Sequence, residues 1–107
     1  MKRGDIYWAD LEPAVAAEFG KTRPVIVLSN TEQNHLLETI VAVPLSTRAG
    51  EIWPLRLAFT LPNGKKSFAV VPGLRQLNKA RLQRRLGMVS EIFLRDLEDA
   101  IHAYLGD

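Results

Sequence analysis

Apolar and polar positions predict three strands in the first half of the chain. Residues 6–11 alternate between two faces, as a strand does. Residues 24–30 and 39–45 are apolar on both faces, and we expect both of these strands to be covered on both sides. Pro44 cannot donate a ladder hydrogen bond, so we expect pairing to fail there and the chain to leave the sheet. We therefore expect residues 46–48 to lie in a loop.

The second half predicts a hairpin, a short strand with a helical turn, and a last strand. The hairpin covers residues 55–71, where two β-rich arms flank an Asn-Gly pair that suits a tight turn. Residues 74–82 predict a short strand followed by a helical turn, and residues 84–90 predict the last strand. Residues 12–21 lack a clean period and predict a loop between the first two strands. A loop of this length between two strands of a compact domain more often has a functional role than a purely connecting one.

A helix follows the last strand. Ser90 is a suitable N-cap for a helix that runs to about Leu105, and Gly106 closes this helix in the way that glycine favours. Its apolar positions form one stripe: Phe93, Leu97, Ile101 and Tyr104 or Leu105. Short strands followed by one amphipathic helix predict a mainly β (α+β) fold, a small, strongly bent antiparallel sheet or barrel.

Length and composition narrow the class of protein. A chain of 107 residues predicts one domain, residues 1–107. Because it has no cysteine, it has no disulfide, no thiolate zinc site and no cysteine nucleophile. No apolar run approaches the roughly 18 to 20 residues of a membrane-spanning helix, and acidic residues interrupt the N-terminal stretch where a signal peptide would be apolar. We therefore expect a cytoplasmic protein with no membrane partner.

The charge distribution permits a nucleic-acid partner without requiring one. The formal net charge is only +2. Basic residues gather between residues 75 and 85, whereas acidic residues gather between 90 and 100, which could give one basic and one acidic face. An ordinary solvated surface explains the same asymmetry equally well.

Chemistry that depends on a metal or a histidine pair is not indicated. His35 and His102 are far apart in the sequence and neither lies in a metal-ligand spacing, so we expect no metal and no cofactor. Ser46 has no obvious imidazole partner. RNA cleavage asks less of a protein, because the substrate carries its own nucleophile, the adjacent 2′-hydroxyl. The protein then aligns this hydroxyl, moves protons and stabilises charge on the phosphate, a role that suits the planar fork of arginine.

Four segments together resemble the MazF/PemK toxins of bacterial toxin–antitoxin systems. They are "KRGDIYWADLEP", "EFGKTRPVIVLSN", "VAVPLST" and "SFAVVPGLRQLNKARL", in the order and at the spacing of that family, and the similarity runs from Lys2 to about Ala103. The resemblance implies a homodimer of SH3-like, CcdB/PemK-type barrels. It also implies a sequence-specific, metal-independent endoribonuclease (mRNA interferase) that cuts single-stranded RNA. Such enzymes leave a 2′,3′-cyclic phosphate and a 5′-hydroxyl, and a cognate antitoxin protein blocks them.

The resemblance also implies catalytic residues. Arg23 matches the family's loop arginine, Ser46 with the adjacent Thr47 matches its hydroxyl residue, and Glu18 matches the acidic residue of its first loop. The chain departs from the family at residues 72–73, where Pro-Gly replaces an acidic residue and a glutamine. We therefore expect Glu18 to assist proton transfer and Arg23 to act as an electrostatic clamp, since a guanidinium holds its proton too tightly to be a ready base.

Structural alternatives remain for each of these residues. Arg23 could form a surface ion pair at the start of a strand, and Glu18 could pair with Lys21 or with Arg23. The hydroxyl of Ser46 could cap a turn after Pro44.

Further residues are candidates for RNA binding: Lys21, Arg48, Trp53, Arg56, Lys65 and Arg75. Trp53 lies between two arginines and could stack an unpaired base; the alternatives are the end of the barrel and a dimer contact. Lys65 lies beside the hairpin turn, where it would reach phosphates or simply keep the hairpin solvated. Trp8 is expected in the core.

Two other functions remain open. Proteins of the same barrel type can be non-enzymatic toxins that bind DNA gyrase. The departure at residues 72–73 also allows a catalytically decayed RNA-binding module.

Overall fold

The computed structural model describes residues 1–15, 20–48 and 50–107. Within these ranges the structure has seven strands and two helices, in chain order β1 (Asp5–Asp10), β2 (Thr22–Val27), α1 (Thr31–Leu36), β3 (Thr39–Ser46), β4 (Arg56–Thr60), β5 (Lys66–Val70), β6 (Arg75–Asn78), β7 (Leu82–Met88) and α2 (Glu91–Leu105). Short 3₁₀ turns, Val71–Gly73 and Lys79–Arg81, flank β6. No helix in the described ranges is long and apolar enough to cross a membrane.

The strands form one bent sheet in the order β4-β5-β3-β2-β1-β7, and β6 pairs with β3 beside this path. Every strand pair is antiparallel. Within the described part of the chain β4 and β7 do not pair with each other, so the sheet is barrel-like but not closed. The predicted mainly β fold with a C-terminal amphipathic helix is confirmed.

Strand β3 is the centre of the sheet, and the predicted failure of pairing at Pro44 is wrong. Pro44 pairs with Val25 of β2, and β3 continues to Ser46, which pairs with Phe68 of β5. On its other edge β3 pairs with β6 up to Ala42 and with β5 from Leu45 onwards. Pro44, which lacks an N–H, therefore lies between the residues that pair with β6 and those that pair with β5. The proline marks a change of partner, and Ser46 ends a strand instead of lying in a loop.

Two apolar clusters cover the two faces of β2 and β3. Ile26 and Val43 belong to the cluster that packs against Leu97 and Ala100 of α2. Val25, Val27 and Ala42 belong to a second cluster with residues of β1 and β6. The prediction that these strands are covered on both sides is confirmed except at Val41, which is exposed.

Helix α2 begins where the sequence predicts. The Ser90 Oγ accepts a hydrogen bond from the Phe93 amide at 3.1 Å, as an N-cap does. Leu97 is fully buried, whereas Tyr104 and Leu105 are exposed, so the apolar stripe is buried only in its first part. Gly106 ends the helix with φ −87°, and this end therefore does not use the left-handed conformation that glycine favours at helix ends.

Helix α1 was not predicted. Its signal is Asn30, whose side chain accepts hydrogen bonds from the amides of Glu32 and Gln33 and so caps the first turn. The helix buries Asn34, whose amide group donates to the carbonyls of Met1 and Ser29. Six residues are too few for a helical period to stand out in the sequence.

Candidate active site

A cleft of about 1080 Å³ opens between the end of β1, the start of β2, the end of β3 and the β4–β5 hairpin, with β7 beneath it. Its polar lining residues are Glu12, Lys21, Thr22, Arg23, Ser46, Thr47, Arg48, Asn63, Lys65, Ser67 and Arg84. The hairpin turn approaches β7 closely beside this cleft. A Cβ at Gly87 would lie 2.7 Å from the Pro62 Cγ, so only glycine permits this approach.

Arg23 lies on β2 opposite Ala9 and is half-buried at the cleft wall. Its Nε donates to the Gly20 carbonyl at 3.2 Å, and its Nη1 donates to the Leu45 carbonyl at 3.5 Å. Burial lowers the pKa of the Arg23 guanidinium below its ordinary value, and repulsion from the charge of Arg48 lowers it further. Both causes disfavour the charged form of the guanidinium.

Ser46 and Thr47 lie at the end of β3 and line the same cleft as Arg23. The Ser46 Oγ accepts a hydrogen bond from the Arg48 amide at 3.2 Å, which is the turn-capping role given above as its alternative. A hydroxyl that accepts can still donate its own hydrogen to another oxygen. The cap therefore orients the Ser46 hydroxyl without using its donor.

Basic side chains dominate the cleft. Five cations line it: Lys21, Arg23, Arg48, Lys65 and Arg84. Glu12 is the one carboxylate among the cleft residues that the structure describes. The ion pairs found in the described ranges, Arg3–Glu98 and Arg85–Asp5, lie outside the cleft. A concave surface of this sign concentrates anions.

Several predicted residues lie away from the cleft. Trp53 is 57% exposed on the β3–β4 connection, so it does not fill the end of the barrel. The Arg56 Nε donates to the Gly50 carbonyl at 3.1 Å and so holds this connection together. Arg75 lines a separate, mostly apolar cavity of about 440 Å³ together with Pro72 and Gly73. Glu18 lies outside the described residues.

Other residues of the cleft were missed by sequence reasoning. The sequence indicates Glu12 only as the first residue of the loop over residues 12–21, and Arg84 only as part of a basic run. Asn63 is indicated only as part of the hairpin turn, yet that turn lines the cleft. Trp8 was expected in the core, but it is half-buried and lines the cleft. Among the residues with described positions, no three His, Asp or Glu side chains form a group that could hold a metal ion.

Comparisons with known proteins agree with this architecture. The endoribonuclease MazF of Staphylococcus saprophyticus is 29% identical over 110 residues, which cover 99% of this chain and 92% of that protein. Two solved structures at lower identity show the same fold. MazF from Deinococcus radiodurans has a TM-score of 0.88 at 22% identity, covering 100% of this chain and 97% of that chain. A mycobacterial endoribonuclease in complex with its cognate antitoxin has a TM-score of 0.82 at 24% identity, covering 99% and 95%.

The match to a family is nearly complete along the sequence. The model of the PemK-like, MazF-like toxins of type II toxin–antitoxin systems matches residues 2–105. The resemblance noted in the sequence is thereby confirmed, and the chain belongs to the PemK/MazF family of toxins.

Proposed function

We propose that the chain is an endoribonuclease that cuts single-stranded RNA, mRNA included, at specific sequences, and that it is the toxin of a toxin–antitoxin pair. One observation carries the proposal: Arg23, Ser46 and Thr47 line a single cleft whose other charged residues are mostly cations. The family match and the name of the staphylococcal relative support the same activity.

The reaction is an internal transfer of the phosphate. The 2′-oxygen of the ribose forms a bond to phosphorus while the bond from phosphorus to the 5′-oxygen breaks. The 2′-hydroxyl gives its proton to a base, and the departing 5′-oxygen gains one, so that the products are a 2′,3′-cyclic phosphate and a 5′-hydroxyl. No group of the protein becomes covalently attached. The protein supplies alignment, proton transfer and charge stabilisation.

Each of these roles has a candidate residue. The guanidinium of Arg23 would stabilise the negative charge that grows on the non-bridging phosphate oxygens, through charge-assisted hydrogen bonds. The hydroxyl of Ser46 or Thr47 would donate to another of these oxygens. Glu18 remains our candidate for proton transfer, as its place in the family's loop suggests.

The remaining cations would hold the rest of the RNA. Lys21, Arg48 and Lys65 were predicted to do so, and Arg84 joins them because it lines the same cleft. The other predicted residues, Trp53, Arg56 and Arg75, lie outside the cleft and would contact RNA that flanks the cut site. Trp53 is exposed enough to stack on a flanking base.

Protein partners are part of the proposal. Related structures are the mycobacterial endoribonuclease in complex with its cognate antitoxin and a MazE–MazF complex from Deinococcus radiodurans. We infer a cognate antitoxin for this chain, a homodimer, and a cytoplasmic location where mRNA is present. Large apolar side chains such as Ile92 and Leu105 are exposed on the single chain and suit such contacts. Sedimentation equilibrium would give the mass of a dimer; a monomer at all concentrations would contradict the homodimer.

The activity is tested with purified protein, a kilobase-length single-stranded RNA and excess EDTA. We expect discrete cuts whose downstream fragments carry 5′-hydroxyl ends. The Arg23→Ala variant, purified in parallel, should cut about 10²-fold more slowly, which would exclude a contaminating nuclease. RNA that is bound but uncut by the wild-type chain would favour the decayed module, and intact RNA together with inhibition of DNA gyrase would favour the non-enzymatic toxin.

A further inference from the structure

We propose that Glu12 is a positioning residue for Arg23 and acts through the peptide group between Gly20 and Lys21. This inference rests on the proposed function, since it concerns the residue assigned to the phosphate. Glu12 lines the cleft and is absent from the residues that sequence reasoning assigned to catalysis or binding.

One peptide group connects the carboxylate to the guanidinium. The Lys21 amide donates to the Glu12 Oε1. The carbonyl of the same peptide group, that of Gly20, accepts from the Arg23 Nε at 3.2 Å. Because a peptide group is planar and its N–H and C=O point in opposite directions, fixing the N–H also fixes the direction of the C=O. The Glu12 carboxylate therefore fixes the direction of the Gly20 carbonyl, the acceptor for the Arg23 Nε.

Glu12 is itself held at both sides of its backbone. The Asp10 Oδ1 accepts from the Glu12 amide at 3.0 Å. The Arg81 Nη1 donates to the Glu12 carbonyl, and it also donates to the Asp10 carbonyl at 3.1 Å. Arg81 comes from the 3₁₀ turn after β6, far along the sequence. Asp10 and Arg81 thus hold the backbone from which the carboxylate extends, although the Glu12 side chain itself is exposed.

Two features of the "GKTR" segment fit this arrangement. A Cβ at position 20 would overlap the Glu12 Oε1 and would lie 3.1 Å from the Ala14 Cβ, so glycine leaves the space that the carboxylate occupies. Lys21 has φ 63°, in the left-handed region that side chains other than glycine seldom adopt. Such a conformation persists only where the surroundings hold it, and the hydrogen bond from the Lys21 amide to Glu12 is one contact that does so.

For catalysis, the consequence is that the Arg23 guanidinium is held in a fixed orientation. A guanidinium that meets the phosphate in a fixed plane needs no rearrangement at the transition state, and small displacements of a catalytic group cost large factors in rate. A rival role for Glu12 is direct proton transfer. Glutamine separates the two roles, because its amide oxygen can accept from the Lys21 amide but cannot take up a proton from the 2′-hydroxyl.

The kinetic test compares Glu12→Ala, Glu12→Gln and Glu38→Ala, the last an exposed glutamate outside the cleft. Single-turnover cleavage of an RNA oligonucleotide that spans a mapped cut site gives the rate constant, and a 2′-deoxy version of the oligonucleotide gives the dissociation constant. For Glu12→Ala we expect a rate about tenfold lower or more with binding nearly unchanged, in line with the cost of misplacing a catalytic group. Glu12→Gln should retain most of the wild-type rate, and Glu38→Ala should retain all of it.

A double-mutant cycle tests the path through the peptide group. Gly20→Ala should slow cleavage by itself, because its methyl group displaces the carboxylate. It should add little in the Glu12→Ala background, where the carboxylate is no longer there to be displaced. Independent, multiplying losses would contradict the proposed path. A wild-type rate for Glu12→Ala, an effect on binding alone, or a Glu12→Gln variant as slow as Glu12→Ala would each overturn the positioning role.

A second readout needs no RNA. The Arg23 Nε–H gives a signal in a ¹H–¹⁵N spectrum, which is assigned by its loss in Arg23→Lys. We expect slow solvent exchange of this hydrogen in the wild type and in Glu12→Gln, and faster exchange in Glu12→Ala at an equal melting temperature. Equal exchange in all three proteins would overturn the inference. Protected exchange in a wild-type protein that cuts no RNA would instead count against the proposed function alone.

Discussion

Replacing Arg23 by alanine removes the cation that we place at the scissile phosphate. The guanidinium is half-buried, and the carbonyls of Gly20 and Leu45 hold its Nε and Nη1 before any RNA binds. Deleting one preorganised donor of this kind costs about 3 kcal/mol of transition-state stabilisation, which corresponds to a rate about 10²-fold lower. Arg23→Lys keeps the charge but loses the planar fork, so we expect a rate between those of the wild type and the alanine variant.

The assay is single-turnover cleavage of an oligonucleotide that contains a mapped cut site, with protein in excess. Binding is measured separately on the uncleavable 2′-deoxy oligonucleotide. Arg95→Ala is the matched control, because Arg95 is an exposed arginine of α2 that does not line the cleft. An Arg23→Ala rate within about threefold of the wild type, a loss far smaller than deletion of an oxyanion donor causes, would refute the assigned role. A loss confined to binding would refute it as well.

Other substitutions test the cleft and the fold. Lys65→Ala and Arg84→Ala should each weaken RNA binding, measured by fluorescence anisotropy. The slope of log K against log salt should become shallower by about 0.7 for each phosphate that is no longer neutralised, and an unchanged slope would show that the residue does not contact a phosphate of the RNA. Leu97→Ala should lower the free energy of unfolding by about 2–5 kcal/mol in urea titrations, because Leu97 is fully buried; a decrease below about 1 kcal/mol would contradict that packing. Ser90→Ala should cost about 1 kcal/mol because the N-cap is removed, and an unchanged stability would contradict the cap.

The elements with strong local signals could be predicted from the sequence. The Asn-Gly turn fixes the β4–β5 hairpin, and the serine cap followed by an apolar stripe fixes the start of α2. Helix α1 was missed because its signal is a single capping residue, Asn30, before only six helical residues. Pro44 was misjudged because a missing donor matters only if the neighbouring strand needs it, and the ladder on that edge happens to change there.

The candidate site depends on contacts that join distant parts of the chain. Arg84 and Arg85 are neighbours on β7, yet Arg84 lines the cleft while Arg85 bonds to Asp5. Alternation along a strand predicts that the two side chains diverge, but the register decides which one meets the cleft, and the pairing of β1 with β7 contains irregularities. Glu12 was missed for the same reason. Its backbone carbonyl accepts a hydrogen bond from Arg81, a contact that no local sequence pattern predicts.

The chemistry of the cut is tested most directly by replacing one 2′-hydroxyl of the RNA. An oligonucleotide with a mapped cut site is compared with the same oligonucleotide carrying hydrogen in place of the 2′-hydroxyl at that site alone. If the cleft aligns the ribose for attack on its own phosphate, the modified oligonucleotide binds as tightly and is not cut there, while the unmodified one yields a 2′,3′-cyclic phosphate and a 5′-hydroxyl. Cleavage of the modified oligonucleotide at the same position and rate would show that another nucleophile attacks, and would contradict the mechanism.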